Sequence, residues 1–421
     1  MKRPLKICLD ARHEGGGGWG GVEQFVIGMA SGLSRLAGEG EEYLFLVNEG
    51  SHEWLVPFVD GPCRLLSSKK AAGKPRRPFR WIYRRFPSRD PYGHLADLAG
   101  ELTAKFHRSR GVVERAGADV MHFMHQGAFL TAIPSVYHPH DLQHLHLPHF
   151  FTPRVRRERE ASYRSFCRQA RMVAVSSSWT RRDVIRQYGL PEEKVRVVPL
   201  APLLSAYAIP GAEDLDTTRG KFSLPDGFLF YPAATWAHKN HKGLLEALAF
   251  LRDVRGVTVP AVFSGSLTEY FPEIRRSIEE LGLSGHVQFL GFVTSLELQC
   301  LYRLCRCVVI PTLFESASFP LWEAFQAGAP AACSNVTSLP EQAGDAALVF
   351  DPGDRQGMAD AILRLWLEPS LRERLVRKGA ENVGRFSWEK TARVFRAHYR
   401  RIAGAPLTEE DRTLIEASPI L

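Results

Sequence analysis

Residues 311–330 read PTLFESASFPLWEAFQAGAP, a stretch that leaves a strand, crosses a loop and starts a helix. The apolar run Cys307 to Ile310 stops at Pro311, Pro320 suits an early helix position where its missing N–H costs nothing, and Gly328 suits a helix C-terminus. Outward from this stretch the same alternation repeats. Strands are predicted at Phe228 to Tyr231, Val259 to Ser264, Val287 to Leu290, Ala331 to Cys333 and Leu348 to Phe350. Helical spacing falls between them at Lys242 to Arg252, Glu273 to Leu281, Ser295 to Leu304 and Gln356 to Leu367. Strands that alternate with helices predict a parallel sheet covered on both faces.

The first half has the same grammar. Leu5 to Asp10 reads as a strand, a glycine cluster runs from Gly15 to Gly21, and Val22, Phe25, Val26, Met29 and Leu33 recur at helical spacing. Further strands are expected at Tyr43 to Val47, Val120 to Phe123, Ser135 to His138, Val173 to Ser176 and Val195 to Val198. Proline, glycine and polar residues between Ala201 and Gly220 break the pattern. The expected division is therefore an N-terminal domain over 1–205, a linker over 206–222, a C-terminal domain over 223–393 and a helical tail over 394–421 that crosses back, with Phe395 and Tyr399 on one face. The fold class is α/β, with two doubly wound domains facing across a cleft at the carboxyl ends of their strands.

Composition narrows the class. A chain of 421 residues with 45% hydrophobic and 24% charged residues is that of an ordinary globular protein, not a disordered or fibrous one. The 7 cysteines are scattered without a C-x-x-C pair, which points to a reducing, cytoplasmic setting. No apolar run approaches the length of a membrane span, so the expectation is a soluble or peripheral protein. A formal charge of +8 asks for an anionic partner.

Glu315 and Glu323 are the first candidates for chemistry, one in the loop after a strand and one in the helix that follows. An ionised carboxylate is an acceptor with about four lone-pair sites, suited to pairs of sugar hydroxyls. The competing reading is that both merely complement a helix dipole, at about 0.3–1 kcal/mol each. Lys239 and Lys242, in TWAHKNHKGLLEAL, stand at a helix start and offer an electrostatic cradle for phosphate. Gly20 and Gly21 open the first helix and allow a pyrophosphate or an acceptor to approach its backbone. They do not form the G-x-G-x-x-G of a dinucleotide fold. No Asp-x-Asp closes a strand, so neither a metal nor a further cofactor is expected.

The string Glu315, seven residues, Glu323, then Ala324, Gly328 and Pro330, resembles the E-x7-E signature of the retaining glycosyltransferases of family 4, which have the GT-B fold of two Rossmann-like domains. Its flanks VQFLGFVTSLELQCLYRLCRCVVIPTLFE and LPEQAGDAALVFDPGD are similar to the same family. The resemblance implies that Glu323 takes the ribose hydroxyls of a nucleotide-sugar donor and Glu315 the transferred sugar. It implies backbone N–H contacts to sugar or diphosphate around Ala317 to Phe319, hence Ser318 and Phe319, and Lys239 as the phosphate-binding cation. His140, in the His-Asp pair after the strand Ser135 to His138, resembles the family's position beside the donor sugar. Two positions depart from the pattern: Ser318 stands where a glycine is common and Thr235 where an arginine is. The implied reaction moves a hexose from a nucleotide sugar to a hydroxyl of a glycan, one built on a lipid carrier. The donor leans toward GDP-mannose, with a UDP-hexose next.

Two segments remain. The run HPHDLQHLHLPHFF holds His138, His140, His144, His146 and His149, a spacing that by itself does not supply a zinc geometry. Residues 69–89 carry 9 basic side chains, no acidic one, and Phe79, Trp81, Tyr83 and Phe86 between them. They read either as a patch for an anionic membrane surface or as a solvated loop. A different class remains open as well: a basic α/β binding protein for membrane or nucleic acid without transferase activity. For the transferase, no nucleic-acid partner is expected.

Overall fold

The computed structural model describes residues 3–13, 20–36, 40–68, 109, 111–203 and 209–417. The basic segment 69–89 lies outside them. The N-terminal domain is a parallel sheet of β1 (Leu5–Asp10), β2 (Glu41–Asn48), β3 (Cys63–Ser68), β4 (Val120–Phe123), β5 (Ser135–Tyr137), β6 (Met172–Val175) and β7 (Val195–Val197), in the order β3-β2-β1-β4-β5-β6-β7. The C-terminal domain holds β8 (Leu229–Pro232), β9 (Ala261–Ser264), β10 (Val287–Phe289), β11 (Cys307–Ile310), β12 (Ala331–Ser334) and β13 (Ala347–Phe350), in the order β10-β9-β8-β11-β12-β13. Every pairing in both sheets is parallel. These are the two doubly wound domains that the strand and helix alternation predicts, in the GT-B arrangement that the family resemblance implies.

Helices on both faces explain why the strands are continuous apolar runs: β4, β6, β9 and β11 are buried at every position. In each sheet the strand order reverses once, between β1 and β4 and between β8 and β11. Loops leaving the carboxyl ends of such a pair run in opposite directions and open a crevice, which is where ligands settle in this fold class.

The helices Pro153–Gln169 and Pro369–Val383 come in addition to the expected elements, and three further differences bear on the sheet edge and the domain division. The strand Cys63–Ser68 escaped notice because its pattern, CRLLSS, is short and half polar at an edge of the sheet. The second half of the expected linker 206–222 is a helix, Ala212–Phe222, tied to the C-terminal domain by the ion pair Lys221–Glu297 at 2.5 Å and by the bond from Gln288 Nε2 to the Phe222 carbonyl at 2.8 Å. The boundary set between 393 and 394 falls inside the helix Trp388–Ala403. That helix docks on the first helix, Gly21–Ser34, and Thr391 Oγ1 donates to the Pro199 carbonyl at 2.7 Å.

The docking depends on two glycines. A Cβ on Gly28 would lie 2.0 Å from the Trp388 ring, and one on Gly32 would lie 2.3 Å from the Trp388 carbonyl oxygen. Bare backbone on this face of the first helix lets an indole lie flat against it. Gly28→Ala gains about 1 kcal/mol of helix propensity but drives a methyl into the ring, an overpacking that costs about 1–3 kcal/mol or more. Its urea midpoint is expected to fall. Gly220→Ala, in a helix where nothing lies within 4 Å of the added carbon, is expected to hold or raise it. Equal midpoints for both variants would show that the Trp388 contact does not matter.

Candidate functional site

The loops after β8 and β11, the two strands at the switch point of the C-terminal sheet, are sewn together by hydrogen bonds. The His238 carbonyl accepts from Leu313 N at 2.8 Å and from Thr312 Oγ1 at 3.1 Å, and Asn240 Nδ2 donates to the Pro311 carbonyl at 3.0 Å. This stitching brings Lys239 Nζ to 2.7 Å from Glu315 Oε2. Both side chains are mostly sheltered, at 22% and 15% exposure. Burial pushes the Glu315 carboxyl up from the usual glutamate range, while the Lys239 ammonium pulls it down. The Glu315 backbone is clamped in turn: its N–H donates to Thr337 Oγ1 at 3.0 Å, and its carbonyl accepts from Ser338 Oγ at 2.8 Å and from the Thr337 hydroxyl.

Strain marks the same place. Non-glycine residues at positive φ include His140 (64°), Asn240 (57°) and Thr337 (51°), and each adjoins the cleft. A β-branched threonine in that region is a genuine outlier. Such conformations persist where the surroundings over-determine them, typically at functional sites. Asn240 is held because its side chain also caps the helix His241–Arg255, accepting from Gly243 N at 3.3 Å. Lys242 sits half-buried in the first turn of that helix.

Glu323 lies in the helix Phe319–Ala327 and is only 2% exposed. Tyr302 OH donates to its Oε2 at 2.8 Å, and Gln24 Nε2, from the first helix of the other domain, donates to its Oε1 at 3.0 Å. Burial nevertheless pushes its carboxyl above the ordinary glutamate value. Gly20, at φ 50°, and Gly21 start the helix that carries Gln24, and a Cβ on Gly21 would stand 3.2 Å from the Phe319 ring. Two helix starts, one from each domain, thus meet at Glu323.

The N-terminal wall is the loop after β5. His140 Nε2 lies 2.9 Å from the Met124 carbonyl. A carbonyl only accepts, so Nε2 carries the proton and Nδ1 is left as an acceptor. Burial lowers the His140 pKa to about 4, so the ring is neutral at pH 7. Asp141 beside it acts through space on Glu315, and Phe314 meets the His146 ring at a tilt at 5.4 Å and the Trp179 ring edge to face at 5.6 Å. Ser176 Oγ donates to the Ser316 carbonyl at 3.1 Å, and the Glu341 carboxylate accepts from Ser178 N and Trp179 N at 2.7 and 3.1 Å. The Glu315 loop is therefore held against the N-terminal domain from both sides.

Of the residues singled out in the sequence, Lys239 and Glu315 touch, Glu323 meets the Gly20–Gly21 helix start, and His140 packs on Met124, Phe25 and His138 of the N-terminal domain. One does not take the place expected. The Ser318 N–H donates to Gln342 Oε1 at 2.8 Å, and its carbonyl accepts from Gln342 Nε2 at 2.5 Å, so the backbone there is already engaged. Phe319 turns its side chain inward, buried and stacked on Trp388 at 6.4 Å, which leaves the expectation for its backbone N–H as it was. Within the histidine run, His144 pairs with Glu160 at 3.3 Å and His146 with Asp183 at 2.8 Å. Sequence reasoning missed Gln24, Tyr302, Thr337 and Gln342, ordinary polar residues whose roles exist only through partners far along the chain. It also missed the exposed apolar side chains Trp236, Leu267 and Phe292, which follow the carboxyl ends of β8, β9 and β10.

Comparison with known proteins agrees with this fold. The family described as "Glycosyltransferase Family 4" matches residues 19–201, and "Glycosyl transferases group 1" matches residues 217–382. O-antigen chain mannosyltransferase B of Escherichia coli is 31% identical over 251 residues, which are 59% of this chain and 66% of that protein. The serotype-specific mannosyltransferase WbdA of Escherichia coli is 32% identical over 183 residues, 43% of this chain but only 22% of that one. The chain thus spans just under two thirds of the first relative and under a quarter of the second. Anabaena Alr3699/HepE, solved in complex with UDP and glucose, superposes with a TM-score of 0.68 at 19% identity, covering 94% of this chain and all of that one, a likeness of fold. Two parallel sheets, each covered by helices and facing one cleft, are the GT-B class. The chain belongs to the family 4 glycosyltransferases.

Buried neutral histidines set the acid limit of the fold. Burial holds His140 at about 4 and His122, His238, His241 and His398 at about 3. An unfolded histidine titrates near 6.5, so below that pH the unfolded chain binds more protons than the folded one and stability falls as pH falls. Each such ring removes up to about 1.4 kcal/mol per pH unit. The raised carboxyls of Glu315 and Glu323 work in the opposite sense. The urea midpoint is expected to drop between pH 7.5 and pH 5.5; a midpoint that stays level or rises would contradict this account.

Proposed function

We propose that the protein is a retaining hexosyltransferase that moves mannose from a nucleotide sugar, GDP-mannose before a UDP-hexose, to a hydroxyl of a glycan carried on a lipid. The observation that carries the reading is the Lys239–Glu315 contact at the switch point, with Glu323 buried one helix start away. The mannosyltransferase relatives support the sugar.

In this reading Glu323 accepts the ribose hydroxyls and Glu315 the hydroxyls of the transferred sugar. Trp236, Leu267 and Phe292 offer apolar surface to the base. Lys239 meets the negative charge that grows on the departing diphosphate, with Lys242, the start of the helix His241–Arg255 and the bare backbone of Gly20 and Gly21 beside it. The Glu315 carboxylate holds Lys239 in place before the donor arrives, so little reorganisation is needed in the transition state. His140 Nδ1 accepts a sugar hydroxyl. The family resemblance favours a front-face path, in which the diphosphate oxygen takes the acceptor proton as the new bond forms. The charge is supplied by lysine without a metal.

Among the described residues no helix is long and apolar enough to cross a membrane. Contact with a lipid-linked acceptor then falls to the basic aromatic segment 69–89, on an anionic cytoplasmic leaflet, at about 1 kcal/mol per basic residue near the surface. Flotation with anionic and with neutral vesicles tests this part, and equal recovery would remove it.

For the chemistry, purified protein is offered GDP-, UDP- and ADP-sugars, and nucleotide release and thermal shift are read. GDP-mannose is expected to turn over and GDP to stabilise the fold. Glu323→Ala is expected to abolish both responses with the circular dichroism unchanged, and Lys239→Ala to lower kcat by about a hundredfold to a thousandfold. Full activity in Glu323→Ala, or no response to any nucleotide, would refute the assignment.

A further inference from the structure

The reading of Glu323 as a ribose-binding carboxylate leaves a feature of the opposite domain unexplained. Gln24 reaches across the cleft from the first helix, one turn after Gly21, and its Nε2 donates to Glu323 Oε1 at 3.0 Å. The orientation of that amide is dictated by its partner: the carbonyl end would be repelled by a carboxylate oxygen, so the NH2 must face Glu323. The amide oxygen is thereby turned away. It is buried, and among the described residues no donor reaches it. A buried acceptor left without a partner forfeits its hydration for nothing.

A vicinal diol supplies what this arrangement lacks. Glu323 Oε2 is taken by Tyr302, which leaves the second lone pair of Oε1 for one hydroxyl, and the adjacent hydroxyl can donate to Gln24 Oε1. The helix starts place both groups at one spot. Gly21 and Gln24 are one turn apart on the first helix, Phe319 and Glu323 one turn apart on the facing one, and Gly21 abuts the Phe319 ring.

We propose that Gln24 is a specificity-determining residue of the donor site: its amide oxygen accepts from one ribose hydroxyl while Glu323 accepts from the adjacent one, so that one nucleoside diphosphate is gripped by both domains. The inference rests on the Glu323 reading and adds an N-terminal-domain contact to it. Two consequences follow. The site discriminates ribose from deoxyribose through two domains rather than one, and loss of the hydroxyl loosens the closed cleft as well as the nucleotide.

Calorimetry on the full chain tests it, with GDP and UDP and their 2′-deoxy and 3′-deoxy forms, on the wild type, Gln24→Met and Glu323→Gln. The wild type is expected to bind a parent nucleotide and to lose about fivefold to tenfold on removal of one ribose hydroxyl, the worth of one hydrogen bond. Gln24→Met is expected to bind the parent about fivefold to tenfold more weakly and to lose most of its discrimination at that same hydroxyl. Gln24→Asn, which withdraws the amide by one methylene, serves if the methionine variant does not fold, with the same expectation. If the Gln24 variant keeps both the affinity and the discrimination while Glu323→Gln loses them, the role of Gln24 is overturned and the reading of Glu323 stands. If the wild type binds neither nucleotide, or Glu323→Gln binds as the wild type does, the reading of Glu323 falls and takes this inference with it.

Discussion

A carboxylate withdrawn from water must be surrounded by donors or it takes a proton, and Glu323 meets that demand with one donor from each domain. Tyr302 belongs to the sheet side that carries the glutamate, Gln24 to the other. The stability of this buried group is therefore tied to the cleft being closed. The rest of the cleft contact follows the same logic. The Ser316 carbonyl is met by Ser176, and the Glu341 carboxylate sits on the first amides of the helix Ser178–Tyr188, where unpaired N–H groups favour a negative partner. Polar groups that would be orphaned in a separated domain are satisfied by the facing one.

The second constraint is the parallel sheet. Because every strand in a domain runs the same way, all carboxyl ends emerge on one edge, and the single reversal in strand order decides which two loops diverge. β8 and β11 flank that reversal. Their loops deliver the Lys239–Glu315 pair, and backbone strain at Asn240 and Thr337 is the cost of aiming the two side chains at each other. The hydrogen bonds that clamp the Glu315 backbone show where that cost is offset.

Much of this was legible in the chain before any coordinates. Apolar runs bounded by helical periods mark β1, β4 and β11 because a strand covered on both faces has no polar alternation to confuse the pattern. Glu315, Glu323 and Lys239 are legible because each stands within about one turn of a strand end or helix start, where spacing alone predicts the neighbourhood. Ser318 is the instructive failure. The motif suggested a free backbone N–H, but the amide of Gln342, 24 positions away, occupies it on both sides. The edge strand Cys63–Ser68 and the helix Ala212–Phe222 were lost for the opposite reason: their local patterns are polar, and only packing on a neighbour makes them regular.

What the amino-acid order determined by itself is the set of local periods: two α/β halves, the helix starts at Gly21, His241 and Phe319, and the residue types that stand at them. These are short-range consequences of backbone sterics and of burying an apolar face. What only the tertiary structure decided is which of those ends meet. Gln24 reaches Glu323 across 299 positions of chain, and Trp388 lies on Gly28. No local rule encodes such contacts, because their energy appears only when two separately folded surfaces exclude water from the same space.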